Sequence, residues 1–343
     1  MSGADGETSF DVVAVGHAIV DVLASADEAT LDRLGLVKGT MALVDAGEGE
    51  SLYRAMGPAV EVSGGSAANT AVGVASMGGT AAFVGKVRDD QLGAVFAHDI
   101  AAARVAYATP PATAGPATGR CLVLVTGDAE RTMGTYLGAA AGLAPSDVDA
   151  ALVARGAVTY LEGYMWDPPE GIAALRAAMG AAHEAGRAVA LSLSDPFCVA
   201  RHREEFLELV DGGGVDVLFA NEAEIVALLE VGSFDEAVAA WAGRRPLAAL
   251  TRSAAGSVVV RGEEVVVVPA EPVAEVVDTT GAGDLYAAGF LFGYARGRDL
   301  ATCARLGGVA AAEVISHLGA RPQVPLADLA APLLAAAPSS RTV

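Results

Sequence analysis

Asp278-Thr279-Thr280-Gly281-Ala282-Gly283-Asp284 opens the apolar run Leu285 to Tyr294. Small residues ahead of such a run predict a helix whose first-turn N–H groups, near Gly281 to Asp284, lack partners inside the helix. The glycines let an anion approach those donors closely, and the helix end favours negative charge. A carboxylate at Asp284 would repel a phosphate held there unless its task were to take a proton from an attacking hydroxyl. Taken alone, the same stretch reads equally well as a glycine-rich turn capping a core helix, because short glycine motifs are common.

A second stretch of this kind lies far upstream: Ser63-Gly64-Gly65-Ser66-Ala67-Ala68-Asn69-Thr70, followed by small residues to Met77 and a Gly78-Gly79 stop. It predicts another glycine-opened helix, with bare backbone at Gly64 and Gly65 and with Asn69 offering a donor and an acceptor to vicinal hydroxyls. In this order and about two hundred residues apart, the two segments resemble the signatures of the ribokinase or PfkB family of sugar and nucleoside kinases. The resemblance runs from Val12 to about Pro325 and is closest to the adenosine kinases.

That resemblance implies a ribokinase-like three-layer α/β/α sandwich with a mostly parallel central sheet and a small β-sheet lid. The large nucleotide-binding and catalytic domain is expected over 1–17, 63–117 and 138–343, and the lid over 18–62 and 118–137. It also implies roles. Asp284 is the general base, with the N–H groups of Gly281, Ala282 and Gly283 holding the developing anion. Arg131 supplies a cation to the phosphate or else is a solvated surface arginine. Asp21 holds sugar hydroxyls, with His17, Gly64, Gly65 and Asn69 beside it, while Met133 and Tyr164 line the nucleoside pocket. Asn221 and Glu224, an N-x-x-E element, organise Mg²⁺ through water. Thr251, Arg252, Gly256 and Gly308 border ATP; without the family frame, Thr251 to Gly256 is only a turn. Asp278, with carbonyls of Ile315 to Gln323, holds a monovalent cation such as K⁺ or else simply caps its turn. The implied activity is transfer of the γ-phosphoryl of Mg·ATP to a nucleoside hydroxyl, adenosine giving AMP; the alternative acceptor is a sugar such as ribose, fructose or 2-keto-3-deoxygluconate.

Composition allows this independently. A chain of 343 residues that is 53% hydrophobic can bury one large core. A net charge of −20 argues against nucleic acid or anionic lipid as partner. It does not argue against ATP, which is held by local N–H groups, metal and one or two cations. Cys121, Cys198 and Cys303 show no C-x-x-C pairing and read as small core hydrophobes in a reducing compartment. The segment Met1 to Asp11 lacks a basic n-region and an apolar h-region, and no run approaches the roughly 18 apolar residues of a membrane span. The expectation is a cytoplasmic enzyme, monomeric or a homodimer. His98, His183, His202 and His317 have no metal-ligand spacing, and Trp166 and Trp241 read as packing residues.

Short β-rich runs alternate with Ala/Leu-periodic stretches, the pattern of a parallel sheet with covering helices. Strands are predicted at Val12 to Gly16, Ala81 to Gly85, Ala157 to Leu161, Ala188 to Leu193, Val215 to Phe219 and Leu247 to Thr251. Helices follow at Gln91 to Ala103, Glu170 to Ala185 and Asn221 to Leu229. Ser257 to Val260 and Glu264 to Val268 form an antiparallel edge hairpin around Gly262. Ala18 to Val62 and Gly119 to Leu137 carry strands without long helices and are expected to pair with each other. Thr109 to Pro116 reads as loop, and Pro338 to Val343 as a loose tail.

Three residues depart from the family pattern. His17 stands where Asn is usual, Arg88 stands where a small Gly is common and puts a cation near the substrate mouth, and Gly308 replaces a polar side chain. They bear on which substrate is used more than on which reaction.

Overall fold

The computed structural model describes residues 9–128 and 130–335, so the expected tail at Pro338 to Val343 lies outside the described residues. In the apolar run Val12-Val13-Ala14-Val15, alternate side chains enter different cores: Val12 and Ala14 join one buried cluster, Val13 and Val15 another. A strand apolar on both faces must be covered on both. Helices do so: Ser66–Ser76, Ala282–Ala295 and Leu300–Val314 contribute to one cluster, Pro169–Glu184, Pro196–Asp211 and Glu222–Leu229 to the other.

The result is a nine-stranded sheet between two helical layers, in the order Glu264–Val268, Ser257–Arg261, Leu247–Thr251, Val217–Asn221, Ala188–Ser192, Gly156–Glu162, Phe10–Val15, Ala81–Val84, Val105–Tyr107. The hairpin strands Ser257–Arg261 and Glu264–Val268 pair antiparallel. Ser257–Arg261 is also antiparallel to Leu247–Thr251, and the remaining neighbouring pairs are parallel. The strand expected at Val215 to Phe219 starts and ends two residues later, because Asp216 supplies a backbone carbonyl to Leu247 and a carboxylate to Val189 ahead of it.

A separate five-stranded sheet runs Met41–Leu43, Arg131–Tyr136, Gly119–Val125, Ile19–Ser25, Val60–Gly64. Ile19–Ser25 pairs with Gly119–Val125, so the two expected pieces do meet. Two short helices, Glu28–Leu34 and Ala46–Ala55, were not foreseen in the first piece; Leu31 and Leu52 on them bury one face of this sheet with Leu124 and Leu122. Its other face, with Ile19, Met41, Val123 and Met133, looks onto a cavity.

Candidate active site

Gly65 and Gly281 take positive φ angles of 99° and 78° immediately before the helices Ser66–Ser76 and Ala282–Ala295. Neither position admits a side chain: a Cβ on Gly65 would strike the His17 carbonyl oxygen, and one on Gly281 would lie 2.8 Å from Ala320 Cβ. The helices pack closely because Gly73 faces Ala288 and Leu285. Both first turns face a cavity of about 800 Å³ at the carboxyl ends of the parallel strands, where Glu162, Ser192, Asn221 and Thr251 also line it. Around Gly283 nothing lies within 4 Å of a built Cβ, so its backbone is open to the cavity.

Asp284 joins the two helix starts. Ser66 Oγ donates to Asp284 Oδ1 at 2.6 Å, Asn69 Nδ2 donates to Oδ2 at 2.9 Å, and Thr70 Oγ1 donates to the Asp284 carbonyl at 3.2 Å. Burial pushes the Asp284 carboxyl up to about 6, with the Ser66 and Asn69 bonds opposing. A carboxylate poised there is ionised at neutral pH yet basic enough to take a proton. Asn69 differs from expectation: half of its amide holds Asp284, and only the buried Oδ1, which has no partner, is left for a substrate.

Asp21 leans against Gly64, where any Cβ would strike its carboxylate. Burial raises the Asp21 carboxyl to about 6, with Arg321 and Arg131 opposing. His17 is buried; its Nδ1 lies 3.0 Å from Glu162 Oε1, while Glu162 Oε2 accepts from Ala67 N at 3.0 Å. His17 Nε2 is left unpartnered at the cavity wall. If Nδ1–H donates to Glu162, Nε2 presents a lone pair. Sequence reasoning missed Glu162, whose only local signal is a carboxylate ending the apolar run Gly156 to Leu161. It also missed Arg321, which reaches back to Ser63 and Ala68.

Arg131 does not stand free. Its guanidinium pairs with Asp278, and both groups are buried. Asp278 also accepts from Thr280 N at 3.0 Å and Gly319 N at 2.8 Å. N–H donors and a guanidinium thus face both Asp278 oxygens, and the Thr280 bond matches the expectation that Asp278 caps its turn. The expectation of a solvated surface Arg131 is corrected, because its guanidinium is buried against Asp278.

Asn221 caps the helix Glu222–Leu229 reciprocally: its Oδ1 accepts from Glu224 N at 2.9 Å and Glu224 Oε2 accepts from Asn221 N at 2.9 Å. Asn221 Nδ2 donates to Glu224 Oε1 at 2.6 Å, and burial raises the Glu224 carboxyl to about 7. Among the described residues no group of three or more His, Cys, Asp or Glu could cage a metal. Glu224, on the cavity wall, is a carboxylate that could meet a phosphate-bound Mg²⁺ through water.

Met133, Tyr164 and Thr251 line the same cavity, together with His17, Asp21, Gly65, Asn69, Arg131, Asn221, Glu224 and Gly281 to Asp284. Tyr164 O–H donates to the Ser194 carbonyl at 3.3 Å, and burial raises its pKa. Gly64, Arg252, Gly256, Gly308 and Asp278 are not on its wall. Arg252 turns away to Glu222, 3.1 Å, and lies 4.1 Å over the Phe234 ring. Gly256 ends the turn between Leu247–Thr251 and Ser257–Arg261 at φ 86°, and Gly308 sits on the helix Leu300–Val314 with Glu271 Cγ 3.4 Å from a built Cβ. Arg88 donates to the Gly115 carbonyl at 2.5 Å and is not on the cavity wall, because the loop after Thr109 holds it. Trp166 and Trp241 are fully buried packing residues.

Residues 11–327 match the profile described as pfkB family carbohydrate kinase. An adenosine kinase from Sinorhizobium meliloti superposes with a TM-score of 0.89 at 54% identity, covering 94% of this chain and 99% of that one. A probable sugar kinase from Rhizobium etli superposes with a TM-score of 0.91 at 48% identity, over 95% and 99%. The adenosine kinase of Saccharomyces cerevisiae is 27% identical over 331 residues, 90% of this chain and 95% of its own. No described helix is long and apolar enough to cross a membrane.

Proposed function

The chain belongs to the pfkB family of carbohydrate kinases, and from that premise we propose that it transfers the γ-phosphoryl group of ATP to the 5′-hydroxyl of adenosine, giving AMP and ADP. It is a phosphotransferase with an alcohol acceptor, acting on a sugar or nucleoside. The choice of adenosine is supported by the identity to the Sinorhizobium enzyme across nearly all of both chains.

The observation that carries the mechanism is the placement of Asp284 on the first turn of a helix, held by Ser66 and Asn69 and facing the cavity that Asp21 also enters. The ribose hydroxyls sit on Asp21, Gly65 and the free Oδ1 of Asn69, with His17 Nε2 accepting from the same substrate. Met133 and Tyr164 flank the base. The 5′-oxygen attacks the γ-phosphorus in line as its proton passes to Asp284. N–H groups of Gly281 and Gly283 face the phosphoryl oxygens, whereas the Ala282 N–H, expected to join them, is donated to the Thr279 carbonyl at 3.2 Å; Arg131, held by Asp278, adds positive potential from behind. Asn221, Glu224 and Thr251 lie on the ATP side. Mg²⁺ bound with ATP offsets phosphate charge. The five-stranded sheet serves as the lid, excluding water that would compete with the acceptor.

A coupled ADP-release assay with Mg·ATP tests this against adenosine, guanosine, inosine, cytidine, ribose, fructose and 2-keto-3-deoxygluconate. Turnover with adenosine at low concentration, and little with free sugars, is the expected result. Turnover confined to a sugar or sugar acid would overturn the nucleoside assignment, and the Rhizobium etli relative makes that the competing outcome.

A further inference from the structure

Arg321 reaches the turn Ser63–Asn69 from the segment after the helix Leu300–Val314, and nothing in the local sequence marks it. Its Nε and Nη2 donate to the Ser63 carbonyl at 3.0 and 2.9 Å, Nη2 also meets Ser63 Oγ at 3.1 Å, and Nη1 donates to the Ala68 carbonyl at 3.0 Å. These acceptors bracket the turn on which both site carboxylates lean. Asp21 rests against Gly64, and Asp284 bonds Ser66 and Asn69. The residues just before Arg321 brace the opposite turn: Gly319 N donates to Asp278, and Ala320 packs against Gly281.

Every hydrogen-bond acceptor of this guanidinium is a neutral oxygen, and among the described residues no carboxylate is in ion-pair contact with it. A partly buried cation of that kind is costly unless negative charge lies nearby. The charges felt by Arg321 are those of Asp21, Asp284 and Asp99.

We infer that Arg321 is a positioning residue for phosphoryl transfer: it ties the turn Ser63–Asn69 to the turn carrying Asp284 and keeps a fixed positive charge beside Asp21 and Asp284. The inference rests on the proposed reading of Asp284 as the base. Asp284 also feels Glu162, Tyr160 and Tyr164, and Asp21 feels Arg131. Those groups remain in place when Arg321 alone is changed.

The test is kcat/KM for adenosine from about pH 5 to pH 9 in wild type, Arg321→Met and Arg321→Lys, with a thermal melt of each. Arg321→Met is expected to move the acid limb up by about one unit or more, the usual effect of removing a neighbouring opposite charge from a carboxylate. Arg321→Lys should leave the limb near its wild-type position while lowering kcat, because one ammonium cannot span the Ser63 and Ala68 carbonyls. An unmoved limb in folded Arg321→Met, whatever its kcat, overturns the inference. Should that variant not fold, Arg321→Gln decides the same point, and a limb displaced in Arg321→Lys also counts against it. Residual activity of Asp284→Asn separates the two readings: with Asp21 still titrating, a limb that falls only about tenfold per unit there assigns the lost step to the base, whereas an unchanged slope overturns the base instead.

Discussion

Asn69 Nδ2 donates to Asp284 Oδ2 at 2.9 Å across a sequence separation of 215 residues, so a single carboxylate is shared by the first turns of two helices made far apart in the chain. The bond fixes where Asp284 points, and Ser66 fixes its other oxygen. Asn69 keeps one amide oxygen unpartnered. It thereby links acceptor and base, so displacing the acceptor would disturb the group that deprotonates it.

Replacing Asn69 with Ala removes a hydrogen bond to a charged group, an interaction of about 1.5–3 kcal/mol, so kcat/KM for adenosine should fall roughly ten- to a hundredfold. Steady-state kinetics with ATP saturating measures it. A change within about twofold would show that the bond does not orient the base.

The acid side of the pH profile follows from two carboxyls that burial raises to about 6, Asp284 and Asp21. If both must be ionised in the free enzyme, kcat/KM should fall below about pH 6 and approach a hundredfold per unit, while kcat, reporting the loaded enzyme, falls about tenfold per unit. A profile flat to about pH 5 would contradict this. Stability runs the other way. Folded values above the ordinary 3.8 mean that these groups support the fold fully in acid and that the support is lost as pH rises through about 6. Asp284→Asn, which cannot ionise, should therefore melt higher than wild type near pH 8, with the difference closing toward pH 5; melts with the opposite trend would refute the burial argument.

Two glycines of the same turn should behave differently on substitution by Ala. Gly281 has φ 78° and faces Ala320, so Gly281→Ala should cost on the order of 1–3 kcal/mol of stability. Gly283 has open space around a built Cβ, so Gly283→Ala should keep stability within about 0.5 kcal/mol. Its effect should appear as a raised KM for ATP, since the methyl group occupies the path of a phosphate to the backbone. Urea unfolding and ATP titration together check the pair. A Gly283→Ala enzyme with unchanged KM for ATP would move the phosphate elsewhere.

Much of this site was legible locally. Glycine before an apolar run marked both positive-φ helix starts, and β-rich runs alternating with Ala/Leu-periodic stretches marked most strands of the large sheet. Local patterns carry no information on which distant side chains meet. Hence the pairing of His17 with Glu162, 145 residues on, and of Arg131 with Asp278, 147 residues on, could not be read from spacing. The same holds for Arg321 and Ser63, 258 residues apart. Arg252, Gly256 and Gly308 were placed beside ATP by resemblance alone, and here they serve an ion pair, a turn between strands and a helix surface. The short helices Glu28–Leu34 and Ala46–Ala55 were missed because each shows few apolar positions and owes its ends to the Asp27 and Asp45 caps.

The most direct test of the account is the conversion of adenosine and Mg·ATP to AMP and ADP by wild type and by Asp284→Asn, with adenosine binding followed by calorimetry on the same preparations. The account predicts one AMP per ADP in the wild type. It predicts for Asp284→Asn a kcat lower by on the order of 10²–10⁴, the range for loss of one general base, with adenosine still bound. Near-full kcat in Asp284→Asn would contradict it.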